Sequence, residues 1–330
     1  MRIAIVGAGG VGGLVGGLLA RSGVDVAFVA RGAHLAALRG RGLEVKSAGG
    51  SFHVAGVEAA DDPAALAPAD AVLVAVKGWQ VKEVAPRLAP LVKEGGFAVP
   101  LENGVDAADE LARALGEERV AGGLCFMLSW LEAPGVVRHV GEPPRVTLGE
   151  RRRGPSARVA QLAAALTAAG VEARVADDVD AALWEKFLFI APVGSVGAVT
   201  RAPMGVVRSL PETRALLTQA MEEIADVGRA RGVRLAADVA ARALAIVDRM
   251  PPDATASMQR DIQAGRPSEL LDQTGAVVRL GREASVPVPA NAFMFASLLP
   301  QEQAARDRQK DDARGGASAT PRAPIADPPA

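Results

Sequence analysis

The chain has 330 residues, which is too long for one small core and suits two domains of ordinary size. Its composition is globular, with 49% hydrophobic and 23% charged residues, and the net charge of −1 gives no electrostatic reason to expect a nucleic acid or an anionic membrane as partner. The single cysteine, Cys125, excludes an intramolecular disulfide, which fits a reducing cytoplasm.

The N-terminal half alternates apolar, β-branched runs with helical patterns. Such runs are typical of strands buried on both faces of a parallel sheet, and the alternation predicts a doubly wound βαβ fold. The predicted strands are 1–7, 25–30, 71–77, 97–103 and 119–127. The predicted helices between them are 11–22, 33–40, 79–92 and 106–115.

The second half changes character near residue 178. Before it, GVVRHV, RVTLGE and ARVAD predict further strands, with a helix near 156–169. After it the patterns are helical, at 180–199, 211–231, 236–249, 255–264, 268–283 and 290–299. We therefore predict an α/β domain over 1–177 and an all-helical domain over 178–303. Because the last residues are rich in Pro, Ala, Gly and charge, we predict a disordered tail over 304–330.

No targeting or membrane segment is expected. The uncharged stretch after Arg2 superficially resembles a signal peptide, but seven glycines within 7–17 would weaken the apolar helix that such a peptide needs. No later stretch reaches eighteen apolar residues without a charge, so no membrane-spanning helix is predicted.

The first predicted strand runs directly into GAGGVG, which has G-x-G-x-x-G spacing before a helix. Glycines at these places allow a tight turn, close approach of the backbone to a pyrophosphate and close packing of helix and strand. At the start of a βαβ unit the motif predicts a dinucleotide site, and a ligand-free glycine turn is the alternative. We assign the whole loop to cofactor binding: Gly7, Ala8, Gly9, Gly10, Val11 and Gly12.

The end of the second predicted strand indicates which dinucleotide binds. An acidic residue there would hold the ribose 2′-hydroxyl of NAD, but this chain has Ala30 and Arg31. A guanidinium suits a 2′-phosphate, so Arg31 predicts NADPH/NADP⁺ as the cofactor. The alternative is that Arg31 is one of many surface arginines.

Polar residues end two other predicted strands, Lys77 after AVLVAV and Asn103 after FAVPLE. Ligands of doubly wound sheets bind at the carboxyl ends of the strands. Each side chain alone could equally return to solvent, but the two together beside a dinucleotide loop favour binding.

Lys186 lies in LWEKFLFIAPVGS, a stretch that is almost wholly apolar apart from Glu185 and Lys186 itself. It either extends its ammonium group to solvent, as most helix lysines do, or it is buried for a chemical reason, because burial of an unpaired charge is costly. Lysine is scarce here, accounting for six of 37 basic residues, and it can lose its proton where arginine cannot.

These motifs together resemble the ketopantoate reductases (2-dehydropantoate 2-reductases). The resemblance rests on GAGGVG, Arg31, VKGWQV, ENG and PGVVRHVG in the first half, and on LWEKF and SMQRDIQAGRPSELLDQTG in the second. It covers roughly residues 1–300, in order. It implies an α/β fold class, with an N-terminal Rossmann-type doubly wound sheet followed by an all-helical C-terminal domain like that of 6-phosphogluconate dehydrogenase.

The resemblance also implies roles for single residues. Lys186 would be the proton donor and contact the substrate, and Lys77 would contact the cofactor. Asn103 would touch both nicotinamide and substrate, Ser257 would help to hold the substrate carboxylate, and Glu269 would lie near the nicotinamide ribose. On composition alone, Glu269 could equally be an exposed helix carboxylate. No metal is implied.

The implied reaction is hydride transfer from NADPH to the ketone carbon of a small-molecule 2-oxo acid, nominally 2-dehydropantoate to pantoate in pantothenate biosynthesis. Four asparagines of the family pattern are replaced here by Ile190, Gly194, Met204 and Ala254. Two alternatives therefore stay open, a paralogous NADPH-dependent ketone reductase with a more apolar substrate and a non-catalytic NADP(H)-binding sensor. The oligomeric state is also open, with a homodimer among the options.

Overall fold

A computed structural model describes residues 1–151 and 154–315, with only the backbone described at 312–315. Its strands are β1 (Arg2–Val6), β2 (Asp25–Val29), β3 (Leu43–Ser47), β4 (Phe52–Val54), β5 (Glu58–Ala60), β6 (Ala69–Val74), β7 (Val92–Pro100), β8 (Ala121–Ala133), β9 (Val136–Glu150) and β10 (Glu172–Val175). Its helices are α1 (Gly10–Arg21), α2 (Gly32–Arg41), α3 (Gly78–Val84), α4 (Ala107–Leu115), α5 (Ala157–Ala168), α6 (Val179–Thr200), α7 (Met204–Ser209), α8 (Pro211–Ala230), α9 (Val239–Arg249), α10 (Ser257–Gln263), α11 (Thr274–Glu283) and α12 (Pro289–Gly315).

The N-terminal sheet is parallel throughout, in the order β5-β2-β1-β6-β7. Helices cover both of its faces, and the apolar runs that predicted β1, β2, β6 and β7 are buried, as expected for a doubly wound sheet. The Rossmann-type fold class is confirmed. The predicted helix at 79–92 is shorter, because Pro86 follows α3 and the chain continues as a 3-10 turn at Ala85–Leu88.

The prediction that 119–127 belongs to the parallel sheet is wrong. Val120 makes a single parallel bridge with Ala98, and β8 then pairs antiparallel with β9 along a second sheet. The tight turn at Pro134 and Gly135, where Gly135 has φ of +81°, brings β9 directly back along β8. This local pairing satisfies the backbone of β8 without a further crossover helix.

The same second sheet contains two strands that the sequence did not reveal. The short hairpin of β3 and β4 joins β9 on one side, and β10 pairs with the later part of β9. β3 has five residues, two of them charged, and β4 has only three. Segments this short show too little periodicity to stand out from a loop.

The C-terminal part is helical from α6 onward, as predicted. α6 is its central element: Asp178 caps it by accepting from the Ala181 backbone N–H, and its apolar side chains pack with those of α8 in the helical core. α6 is long and apolar enough to span a membrane by length and composition, but 72% of its most apolar window is buried inside the protein, as in a core helix. The division at 177/178 stays a prediction, with β10 ending at Val175 and α6 beginning at Val179.

The structure corrects one helix prediction and the prediction of a disordered tail. The helix expected at 268–283 begins only at Thr274, so Glu269 lies in the turn before α11. The tail predicted from 304 is also wrong for 304–315, which continue α12. Burial of Ala305 and an ion pair between Arg306 and the buried Glu302 tie this segment to the domain. Residues 316–330 of the predicted tail lie outside the described residues.

Candidate active site

A cavity of about 1110 Å³ lies where the carboxyl ends of β1, β6 and β7 face the helical domain. The sheet side contributes Gly7, Lys77 and Asn103, and the helical side contributes Ser257 and Glu269. Ligands of doubly wound sheets bind at this edge. These five residues, which the sequence singled out in separate parts of the chain, therefore line one crevice.

The glycine loop between β1 and α1 has no room for side chains at three positions. Gly7 has φ of +96°, and a Cβ added there would lie 2.8 Å from the backbone of Ala75 and Val76. A Cβ on Gly10 would collide with the Ser129 carbonyl, and one on Gly12 with the Gly7 carbonyl. α1 begins without a side-chain cap, so its first N–H groups face the cavity edge as donors for an anion. This cradle fits the pyrophosphate of a dinucleotide.

Arg31 and Lys77 stand at the N-terminal ends of α2 and α3 and line the cavity. The Arg31 side chain is 56% exposed, with its Nη2 at 3.8 Å from Glu83 Oε1. Such a loose, exposed pair is weak, so the guanidinium is available to a ligand anion. The Lys77 Nζ lies 5.8 Å from the centre of the Trp79 ring.

Asn103 and Glu269 meet across the domain boundary. Asn103 Nδ2 donates to Glu269 Oε2 at 3.0 Å, and Gln273 Nε2 donates to the same oxygen at 3.3 Å. Glu269 is 7% exposed. The alternative of an ordinary exposed helix carboxylate is therefore wrong, because this group is buried, paired and outside a helix.

Lys186 is buried in α6 and does not extend to solvent. Its Nζ has no hydrogen-bond partner in the described part of the chain and lies 5.3 Å from the centre of the Phe126 ring. Lys186 is absent from the described residues that line the cavity, but its neighbour Cys125 lines it. Burial raises the pKa of the Cys125 thiol, and the nearby Lys186 charge opposes that rise. A buried ammonium thus stands directly behind the cavity wall.

Two acidic residues of this region were not singled out from the sequence. Glu102 is 6% exposed and lines the cavity, and neither of its carboxyl oxygens bonds to a side chain among the residues described. Burial raises the pKa of the Glu102 carboxyl well above its ordinary value. The sequence did offer one signal for Glu102, since it is the only charged residue in the predicted strand FAVPLEN.

The second is Asp272, which packs between the domains. A Cβ on Gly78 would lie 2.9 Å from its carboxyl carbon, and one on Gly104 would lie 2.9 Å from its carbonyl oxygen. Burial, and next the charge of Glu269, raise the pKa of Asp272 to about 7. Nothing in the sequence around Asp272 indicated this, because the shift arises from contacts between domains.

Known proteins match this chain along nearly its whole length. The family described as ketopantoate reductase PanE/ApbA matches residues 3–153, and its C-terminal counterpart matches residues 178–302. The 2-dehydropantoate 2-reductase of Mesorhizobium japonicum is 31% identical, over 88% of this chain and 94% of its own length. That of Halobacterium salinarum is 32% identical, over 88% and 95%.

Among solved structures, the PanE/ApbA family ketopantoate reductase from Ralstonia eutropha JMP134 matches with a TM-score of 0.84 and 33% identity. The match covers 93% of this chain and all of that one. The chain belongs to the ketopantoate reductase family. The resemblance read from the motifs is thereby confirmed.

The four positions where this ketopantoate reductase family member lacks the expected asparagines lie away from the cavity lining among the described residues. Met204 is fully buried in the helical core, and its backbone N–H donates to the Ala254 carbonyl at 3.0 Å. Gly194 faces Met258, where a Cβ would lie 2.8 Å from the methionine methyl. Gly194 and Met204 therefore serve packing within the helical domain.

Proposed function

We propose that the protein reduces 2-dehydropantoate to pantoate with NADPH. The observation that carries this proposal is the buried ammonium of Lys186, which has no hydrogen-bond partner among the described residues and lies behind a cavity that begins at a dinucleotide cradle. The names of the relatives from Mesorhizobium japonicum and Halobacterium salinarum support the substrate. The alternative of a non-catalytic sensor is disfavoured, because a protein that only binds NADP(H) has no need of such a lysine.

The cofactor residues of this proposal line the cavity from its sheet side, apart from Glu269, which lines it from the helical side. The glycine loop would hold the pyrophosphate and Arg31 the 2′-phosphate, with Lys77 contributing charge. Asn103 and Glu269, already joined by a hydrogen bond, would contact the nicotinamide end. When bound, NADPH supplies the hydride for the ketone carbon.

The protein's own contribution to the chemistry is orientation and a proton. Ser257, at the start of α10 and on the cavity wall, would hold the substrate carboxylate. Lys186 Nζ would donate its proton to the oxygen that becomes negative as the ketone is reduced.

The test is NADPH oxidation by the purified protein in the presence of 2-dehydropantoate. We expect turnover by the native chain and a loss of about 10²–10⁴ in rate for Lys186→Ala, the usual contribution of a general acid. NADPH binding should persist in that variant, and Lys93→Ala, which alters an exposed lysine paired with Asp70, is the matched control. Binding of NADPH without turnover by the native chain would remove the substrate assignment, and full activity of Lys186→Ala would remove the mechanism.

Location and assembly are part of the same proposal. The single cysteine is a buried free thiol, which supports a cytoplasmic location. A homodimer stays a prediction, to be measured by light scattering of the purified protein.

A further inference from the structure

Arg306 on α12 contacts both domains beside the cavity. Its guanidinium carbon lies 4.6 Å from the centre of the Trp79 ring on α3 of the Rossmann domain. On the helical side, its Nε pairs with Glu302 Oε1 at 2.6 Å and its Nη2 donates to the Ser268 carbonyl at 3.1 Å. Arg306 lies in the segment that the sequence predicted to be disordered.

The helical end of this contact is firmly anchored. Glu302 is 1% exposed and accepts from the Ser268 backbone N–H at 3.0 Å and from the Ser268 hydroxyl at 2.6 Å. The Arg306 side chain is 17% exposed. Because the carboxylate and the backbone carbonyl hold two parts of the guanidinium, its plane is fixed, which suits it to stacking on an aromatic ring.

Both ends of the contact adjoin residues assigned to the cofactor. Ser268 directly precedes Glu269, and Trp79 follows Lys77 by two residues. The Trp79 ring is also the ring that the Lys77 ammonium approaches at 5.8 Å. The position of the guanidinium therefore relates one wall of the cavity to the other.

We propose that Arg306 is a positioning residue that clasps Trp79 across the domain boundary and so sets the affinity for NADP(H). It holds the ring and the neighbouring Lys77 at a fixed distance from the turn that carries Glu269. This inference rests on the proposed function, because Lys77 and Glu269 are cofactor residues only within it.

The experiment titrates NADPH, by its own fluorescence, into the native protein, Arg306→Ala, Trp79→Ala and the double variant. We expect each single change to raise Kd about threefold to tenfold, the range of a partly buried cation–π contact, and the double variant to add little more. In the enzymatic assay KM for NADPH should rise while kcat at saturating NADPH stays within about twofold, since the stack makes no contact with reacting groups. Arg308→Ala is the matched control, because this exposed arginine on the same helix bonds the Gly265 carbonyl and should leave Kd unchanged.

Several outcomes would overturn the clasp. One is a folded Arg306→Ala protein with native Kd, and another is full additivity of the two single changes. Arg306→Lys keeps a cation for Glu302 but loses the planar group that stacks on Trp79, so it should recover only part of the affinity, and full recovery would show that the stack does not set Kd. If the native protein does not bind NADPH, the proposed function fails, while a double-mutant cycle on thermal unfolding still measures whether Arg306 and Trp79 are coupled.

Discussion

Asn103 and Glu269 are 166 residues apart in the chain and share a 3.0 Å hydrogen bond between Nδ2 and Oε2. The bond joins the carboxyl end of the Rossmann sheet to the turn before α11. It also fixes the orientation of the amide, leaving its carbonyl oxygen to other partners at the cavity.

Removal of Glu269 is expected to weaken cofactor binding. Glu269→Ala should raise Kd for NADPH about tenfold or more, because a hydrogen bond to a charged group contributes about 1.5–3 kcal/mol. Glu269→Gln keeps an acceptor for Asn103 and should lose much less. Fluorescence titration of both variants measures the difference, and equal affinities of Glu269→Ala and the native chain would contradict the assigned role.

Gly9 offers a test of the cradle that leaves the fold intact. A Cβ at Gly9 meets nothing within 4 Å, so Gly9→Ala should fold normally. The new methyl would stand where a pyrophosphate approaches the backbone, so we expect NADPH affinity to fall at least about tenfold. Gly40→Ala on α2, which also has open space, is the control. Native affinity in Gly9→Ala would show that the pyrophosphate does not lie over this residue.

Arg31 is expected to determine the choice between NADPH and NADH. A guanidinium on a 2′-phosphate makes charge-assisted bonds worth about 1.5–3 kcal/mol, so Arg31→Ala should lower the NADPH-to-NADH ratio of kcat/KM by about tenfold to a hundredfold. Arg87→Ala, which alters an exposed arginine paired with Asp62, should leave the ratio unchanged. An unchanged NADPH-to-NADH ratio in Arg31→Ala would show that Arg31 is an ordinary surface arginine that does not select the cofactor.

Asp272 predicts a dependence of stability on pH. Its folded pKa of about 7 lies above the ordinary value of 3.8. Between these two pH values the folded protein therefore keeps a proton on Asp272 that the unfolded chain has already released. The stability that this group contributes is complete below its unfolded pKa and is lost as pH rises toward 7. Asp272→Asn removes this loss. We therefore expect the Tm of Asp272→Asn minus the Tm of the native protein to be larger at about pH 8 than at about pH 5.

The comparison of Tm values at the two pH values isolates Asp272, because the raised pKa of Glu102 acts equally in both proteins. A difference in Tm that does not change between the two pH values would contradict a raised pKa at Asp272. Thermal scans in buffers of equal ionic strength keep the surface ion pairs alike.

Local patterns in the sequence were sufficient to locate the Rossmann half of the candidate site. The spacing of Gly7, Gly9 and Gly12 marks a turn in which a side chain at Gly7 or Gly12 would collide with backbone. An apolar strand that ends in Lys77 or Asn103 indicates which edge of the sheet those side chains reach. The position of β8 could not be read in this way. Its apolar run suits either sheet, and pairing with β9 through the turn at Gly135 decided between them.

The sequence by itself determined the family, the two-part fold and the residue types available for chemistry, because each depends on short motifs and their order. Only the tertiary structure decided the surroundings of those residues. It buried Lys186 instead of extending it to solvent, paired Glu269 with Asn103, raised the pKa of Asp272 and ordered α12 as far as Arg306 and beyond. Each of these depends on contacts between segments distant in the chain, and burial and pairing of charges arise only when those segments meet.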